Sequence, residues 1–337
     1  LGYRLPVDDA GRRLNANTGP GAKEPGPRLT HGDLVTGWAS IVPGLAAIPP
    51  RDPRSIAFRL FWTRGGETGF RDFSLGAGQH LIVGRHALAD VVLPSDPDLS
   101  LRHLLIVPEA GHSEPTLRLV DLRAALPMFT THDRPERSLT VEGPFAVRLG
   151  TYLFGGFRVG PGATAPPATL PEMASVEAPS AAMHKLASAT VIGHGSVRRS
   201  TIITSIPRPS TLVEIADAPS SEGPAVATLI GSRDGQTARV ALREEDLRRG
   251  VLVGRAEKCM DRGLKLVMSM HISRVHAVLL MDDRRTVWLY DAASTNGTYV
   301  SGTRVRSATL AEIAPFVSRS PAVLGDGIHV ELGGPMS

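Results

Sequence analysis

Val251-Leu252-Val253-Gly254-Arg255, Ile272-Ser273-Arg274-Val275-His276-Ala277, Val287-Trp288-Leu289-Tyr290-Asp291 and Ala293-Ser294-Thr295-Asn296-Gly297-Thr298-Tyr299-Val300 follow one another within residues 251–300. Each joins a short apolar or alternating run to polar turn residues, which is the pattern of short β-strands separated by tight loops. Val275 to Met281, Thr286 to Tyr290 and Ile328 to Leu332 read the same way. Ahead of them, Arg243 to Arg249 is a charged patch that reads as a turn of helix or a loop. Asn296-Gly297 between two strands is the strongest short-range hairpin signal in the stretch.

The same texture occurs earlier in the chain. Ile56 to Trp62, His80 to Val83, Thr116 to Val120, Ser138 to Val141, Phe145 to Leu149 and Thr151 to Phe154 are short strand-like runs with turn residues between them. The two strand-rich halves form a repeat. Leu81-Ile82-Val83-Gly84-Arg85, Leu99-Ser100-Leu101-Arg102-His103 and Leu117-Arg118-Leu119-Val120-Asp121 match the second-half runs in order. Both halves place Gly-Arg after an apolar strand and Ser-x-x-His before the next one. The interval from Arg85 to Ser100 is 15 positions and that from Arg255 to Ser273 is 18, the difference of a small loop insertion.

The ordered set Gly-Arg, Ser-x-x-His and Ser-Thr-Asn-Gly-Thr, with a strand between each pair, resembles the forkhead-associated (FHA) domain, a β-sandwich that binds phosphothreonine. The resemblance implies an all-β chain of two FHA-like sandwiches, a degenerate copy over 53–160 and an intact one over 225–335. It places Arg255, Ser273 and Thr295 around a phosphate, Asn296 on the peptide backbone and Arg274 beside them. Gly254, His276 and Gly297 are implied as structural support. A phosphothreonine carries about −1.5 to −2 charges and three acceptor oxygens, so a receptor needs a fixed cation and several neutral donors on loops held by a rigid scaffold. The first copy retains Gly84, Arg85, Ser100 and His103, but Arg123-Ala124-Ala125-Leu126-Pro127-Met128 stands where the second copy has Ser-Thr-Asn-Gly-Thr. Thr130 and Thr131 are the nearest hydroxyls that could substitute. That copy is expected to be a structural or docking module.

Residues 1–52 show no sustained periodicity and read as an irregular tail. Residues 161–224 are rich in Pro, Ala and Ser and read as a flexible linker. In it, Ser200 and Thr201 follow Arg198-Arg199, and Thr211 follows Arg208-Pro209-Ser210. These hydroxyls are either ordinary polar linker residues or kinase substrates that the second sandwich could capture in cis. Gly and Pro together make about 18% of the chain, which fits tails and linkers beside folded parts.

Composition narrows the function classes. One cysteine, Cys259, excludes an internal disulfide and a cysteine-based zinc site. It is read as inert, although Arg255 and Lys258 lie near it in sequence. The net charge is +4 and no basic stripe is present, so nucleic acid is not an expected partner. Arginine supplies 33 of the 37 basic residues, a bias that a genome rich in G and C explains. No apolar run reaches the ~18–20 residues of a membrane span. No phosphate loop, dinucleotide fingerprint, His-Glu-x-x-His or Gly-x-Ser-x-Gly occurs. No cofactor, metal or enzymatic activity is therefore expected. The chain opens on Leu1, so its natural start is expected upstream.

These readings converge on a cytoplasmic, phosphothreonine-dependent adaptor in Ser/Thr-kinase signalling. Its partner would be a threonine-phosphorylated protein, a kinase or a kinase substrate, with self-association or membership of a larger assembly open. The alternative is a phosphate-independent structural subunit of a larger assembly, which the degenerate first copy favours.

Overall fold

A computed structural model describes residues 29–50, 57–93, 96, 99–109, 116–124, 126–170, 224–256, 259 and 269–335. The fold is all-β apart from two helices among these residues, and the strands form four sheets in two sandwiches. In the first sandwich one sheet runs in the order Glu67–Phe73, Ala57–Arg64, Tyr152–Val159, Phe145–Leu149, Met128–Phe129, Pro135–Glu136. The facing sheet runs Val91–Val92, Leu81–Gly84, Leu104–Glu109, Thr116–Asp121, Ser138–Val141. Inward residues such as Leu60, Leu104, Ile106, Leu119, Val147 and Phe154 fill the space between them.

The second sandwich repeats the order of the six-stranded sheet and of four strands of the other, with its fifth strand at the opposite edge. Its six-stranded sheet runs Gln236–Arg243, Ala225–Arg233, Ile328–Gly333, Ala322–Leu324, Thr298–Val300, Thr303–Val305. Its five-stranded sheet runs Val251–Val253, Ala277–Met281, Thr286–Asp291, Ser307–Ile313, Phe316–Ser318. Leu229, Leu279, Leu289, Leu310, Leu324 and Val330 are part of the core between them. The charged patch forms a short helix, Glu244–Arg249, with ion pairs Arg248–Glu244 and Arg249–Glu245 one turn apart.

Part of the segment read as irregular folds as helix α1, His31–Ala47. Thr30 and Asp33 form a capping box at its start. Gly32, Gly37, Gly44 and Pro43 lower its intrinsic helicity, which hides it from a propensity reading. Tertiary packing outweighs that deficit. Leu34, Trp38, Val42 and Leu45 recur on one face and bury against Phe61, Ala146, Leu153 and Phe157 of the first sandwich. Gly37 permits this approach, since a Cβ there would lie 3.0 Å from Leu153 Cδ2. The fully buried Arg59 holds the far end of the helix, donating to the carbonyls of Leu45 (2.6 Å) and Ile48 (2.7 Å) while paired with both oxygens of Asp72. Trp38 Nε1 donates to Pro167 O at 2.9 Å, so the first residues of the expected linker lie against the sandwich. Ser200-Thr201 and Thr211 fall outside the described residues.

The two sandwiches pack against each other through the outer faces of their five-stranded sheets. Ile82, Ala89, Leu105, Val107, Val120 and Leu122 of the first meet Leu252, Cys259, Val278, Leu280, Tyr290 and Ala292 of the second in one buried cluster. In repeat register these are six equivalent pairs, Ile82 with Leu252 through Leu122 with Ala292. The chain therefore buries the same face of both copies, the arrangement of an isologous dimer carried on one polypeptide. Trp288 lies over Gly78, where a Cβ would come within 2.7 Å of the indole. Polar bonds rim the face: Arg306 to Asp90 at 2.7 and 3.0 Å, Arg118 to the carbonyls of Met281 (3.1 Å) and Arg248 (3.2 Å), and Ser307 Oγ to Gly78 O.

Burying a Val, Leu or Ile side chain is worth about 1.5–3 kcal/mol, so the eight of these among the twelve couple the sandwiches firmly. The full chain is expected to unfold in one calorimetric transition. Val278→Asp, which places a carboxylate in this face, is expected to split the transition in two and lower the first by roughly 5 °C or more. A single transition at the wild-type temperature in that variant would show that the face does not couple the two halves.

Candidate functional site

At one end of the second sandwich three loops meet. Arg255 follows the strand Val251–Val253, Ser273 precedes Ala277–Met281, and Thr295-Asn296 follow Thr286–Asp291. Backbone bonds clamp the first two loops together: Arg255 N to Ser273 O at 3.3 Å, Ala256 N to Arg274 O at 2.9 Å and His276 N to Val253 O at 2.8 Å. Gly254 makes this clamp physically possible, because a Cβ there would lie 2.3 Å from Arg274 O. Its role is close backbone approach.

Arg255 is exposed, and its Nε donates to Ile272 O at 2.8 Å. That bond fixes the inner edge of the guanidinium, and Arg255 has no ion pair with a carboxylate among the described residues. Ser273 Oγ accepts from Thr295 N at 3.1 Å, which draws the third loop onto the second and leaves the hydroxyl proton to donate elsewhere. Asn296 is exposed, with Nδ2 donating to His271 O at 2.6 Å. Arg274 is exposed beside Ser273.

His276 is fully buried and joins both loops. Its Nδ1 accepts from Ser273 N at 3.4 Å, and its Nε2 donates to Gly297 O at 3.0 Å. One acceptor and one donor describe a neutral imidazole, and burial holds its pKa below the ordinary histidine value.

Asp291 is an anchor that the motif reading did not single out. Its carboxylate accepts from Ser294 N (2.8 Å), Ser294 Oγ (2.5 Å) and Thr298 Oγ1 (2.7 Å). Ser294 Oγ in turn accepts from Gly297 N at 3.1 Å. The signal was present, since Asp closes the matching strand in both copies as Asp121 and Asp291. The acid is turned inward and saturated, so the outward side of the loops offers the exposed Arg255, Thr295 and Asn296, with Ser273 9% exposed. A cation among neutral donors suits an oxyanion.

Asn296-Gly297 is not the tip of a hairpin. Thr286–Asp291 and Thr298–Val300 belong to different sheets, and the loop carries the chain from one to the other. Gly297 has φ +83°, the left-handed region that favours glycine.

The first copy builds the same clamp. Arg85 Nε donates to Leu99 O at 2.7 Å, Arg85 N to Ser100 O at 3.3 Å, and Ser100 N to His103 Nδ1 at 3.3 Å. A Cβ on Gly84 would lie 2.4 Å from Leu101 O. The Asp-anchored loop is also retained, with Ala124 N to Asp121 Oδ1 at 2.8 Å and Met128 N to Asp121 Oδ2 at 2.7 Å. In that register Leu126 and Pro127 stand where the second copy has Asn296 and Gly297. The backbone is therefore kept while the side-chain donors are gone. Thr130 and Thr131 do not replace them, being 3% and 1% exposed. Cys259 is buried in the face between the sandwiches, with Sγ donating to Arg274 O at 3.0 Å. No group of His, Cys, Asp and Glu able to hold a metal occurs among the described residues, and no helix among them is long and apolar enough to cross a membrane.

The geometry is that of a β-sandwich whose loops at one end present a cation among neutral donors. Residues 251–315 match the family model of the FHA domain. The FHA domain of the CT664 protein of Chlamydia trachomatis is 26% identical, covering 31% of this chain and 98% of that one, with a TM-score of 0.26. The FHA-1 domain of Mycobacterium tuberculosis Rv1747 is 22% identical, covering 31% and 99%, with a TM-score of 0.25. The yeast Dun1 FHA domain, solved with a doubly phosphorylated peptide from Rad53, is 14% identical, covering 39% and 94%, with a TM-score of 0.28. No curated protein matches the chain.

The His276 brace is open to test. His276→Ala leaves Ser273 N–H and Gly297 C=O without their partner and opens a cavity, at an expected cost of about 2–4 kcal/mol to the unfolding free energy. Urea denaturation of the full chain measures it. A loss below about 0.5 kcal/mol would mean that the bridge contributes nothing to the fold.

Proposed function

We propose that this chain is a phosphothreonine-dependent protein-binding adaptor in Ser/Thr-kinase signalling, with the second sandwich as the reader. FHA domains are phosphopeptide-binding modules and not enzymes, and one is matched here over 251–315. The observation that carries the reading is the convergence of Arg255, Ser273, Thr295 and Asn296 on three loops, with His276 bridging the second and third and Arg255 tied to the second through Ile272 O. In this reading Arg255 supplies the charge and Ser273 and Thr295 the neutral donors. Asn296 grips the peptide backbone, while Arg274 adds a second cation beside them. The partner is a threonine-phosphorylated protein, a kinase or one of its substrates.

The first sandwich has a different role in this proposal. Arg85 and Ser100 keep the phosphate half of the site, but the loop that would read the peptide carries Ala124, Leu126 and Pro127. An anion held by one arginine and one hydroxyl, without a grip on the peptide, gains too little to hold a partner. This copy is the structural half of the tandem. That same feature favours the second reading, a phosphate-independent subunit of a larger assembly. Phosphatase treatment of the native complex distinguishes the two, since only the reader dissociates.

Arg255→Ala in the full chain is expected to weaken a phosphothreonine peptide by roughly a hundredfold or more, because two charge-assisted bonds are lost. Ser273→Ala is expected to weaken it less, since backbone donors remain, and Arg85→Ala is expected to leave it unchanged. Titration calorimetry reads all three. Wild-type affinity in Arg255→Ala would refute the assignment of the site.

A further inference from the structure

The loop Ala292–Thr298 is tied down from its own sandwich by Asp291, Ser273 and His276. Two carbonyls at its root, however, point across the interface into the first sandwich. Asp291 O accepts from His80 Nε2 at 2.8 Å, and Ala293 O accepts from both Arg102 Nη2 (2.5 Å) and Arg102 Nε (3.1 Å). Both donors are enclosed, His80 being 3% and Arg102 8% exposed. His80 is a neutral donor: burial lowers its pKa to about 4, and Nδ1 has no hydrogen-bond partner among the described residues.

The repeat shows that the arginine is not part of the shared scaffold. Arg102 occupies the position that Val275 holds in the second copy, within a face that is otherwise apolar. Desolvating a guanidinium where the repeat tolerates valine is a poor way to gain stability. What the arginine achieves is placement of a carbonyl. Ala293 has φ +55°, a left-handed conformation for a residue with a Cβ, and Arg123 at the matching position of the first copy has φ +51°. The bend is common to both loops. In the second copy it turns the Ala293 carbonyl towards Arg102, two residues before Thr295.

We propose that Arg102, assisted by His80, is a positioning residue for the phosphopeptide loop of the second sandwich, so that the copy lacking a peptide-reading loop presets the loop of the copy that has one. This rests on the phosphothreonine reading above. A preset loop does not have to be ordered when the ligand arrives, and that saving appears as affinity.

The full chain is compared with its Arg102→Met, Arg102→Lys and Arg118→Met variants. Met keeps the volume without donors, and Lys keeps one donor and the charge. Arg118 bonds the carbonyls of Met281 and Arg248 in the same interface, at the end of the sheet away from Asp291 and the loop, so its replacement loosens the interface generally. Two readouts are taken: hydrogen exchange of the Thr295 and Gly297 amides, and affinity for a single-phosphothreonine peptide selected on the full chain. Arg102→Met is expected to speed exchange of both amides at least tenfold and weaken the peptide roughly tenfold, with Arg102→Lys intermediate and Arg118→Met like wild type. Wild-type exchange in Arg102→Met overturns the proposal, and so does an equal loss in Arg118→Met. If Arg102→Met does not fold, wild-type exchange and affinity in Arg102→Lys overturn it. A wild-type chain that binds no phosphothreonine peptide refutes the function proposed above, and the exchange comparison still decides the role of Arg102.

Discussion

The organisation of this protein depends on one apolar contact, the meeting of two equivalent sheet faces. Leu105, Val107 and Val120 on one side and Val278, Leu280 and Tyr290 on the other leave water together. A single sandwich of this kind carries apolar residues on both sides of its five-stranded sheet, with one side filling its own core and the other needing a cover. The repeat supplies that cover from within the chain. Because both halves present the same face, the contact is self-complementary in the way that a twofold interface must be.

That contact determines what each copy is free to do. The clamp between the Gly-Arg and Ser-x-x-His loops is built alike in both, down to the close approach that Gly84 and Gly254 permit. The Asp-anchored loop has the same length in both, and the amide three residues on donates to the aspartate in each. The other carboxylate oxygen takes the Met128 amide in the first copy and the Ser294 and Thr298 hydroxyls in the second. Among the side chains that have changed are those at the outer end of this loop, with Leu126 and Pro127 in one copy against Asn296 and Gly297 in the other. A scaffold held by backbone hydrogen bonds can lose its ligand-facing side chains without losing its shape. The first sandwich gains other attachments instead. Helix α1 covers the outer side of its six-stranded sheet, and the buried pair Arg59–Asp72 holds the end of that helix.

Much of this was legible in the residues. Short apolar runs with turn residues between them specify strands, since a period of two with punctuation admits little else. The repeat was visible because Gly-Arg and Ser-x-x-His recur in order, and the candidate site was visible because its residue types are those that an oxyanion needs. Helix α1 was not legible: its glycines and Pro43 oppose helix formation locally, and only the sheet beneath it repays Leu34, Trp38 and Val42 for ordering. Asn296-Gly297 misled in the other direction, because a turn signal says that the chain reverses and not whether the next strand joins the same sheet.

The sequence by itself determined many of the strands, though not Ala225–Arg233, Gln236–Arg243 or Ser307–Ile313. It also determined which loops carry the cation and the donors, and that the first copy lacks the Ser-Thr-Asn-Gly-Thr of the second. These are properties of neighbours along the chain, expressed in periods of two and in short motifs. It also carried half of the interface, since Leu104-Leu105-Ile106-Val107 and Ala277-Val278-Leu279-Leu280-Met281 are apolar at every position and so belong to strands covered on both faces. What covers the second face was decided only by tertiary structure, because hydrophobic burial is non-directional and accepts any apolar partner of the right shape. The same holds for Arg102: in the sequence it is an arginine beside Ser100 and His103, and only the folded tandem brings it to the carbonyl of Ala293, 191 positions away.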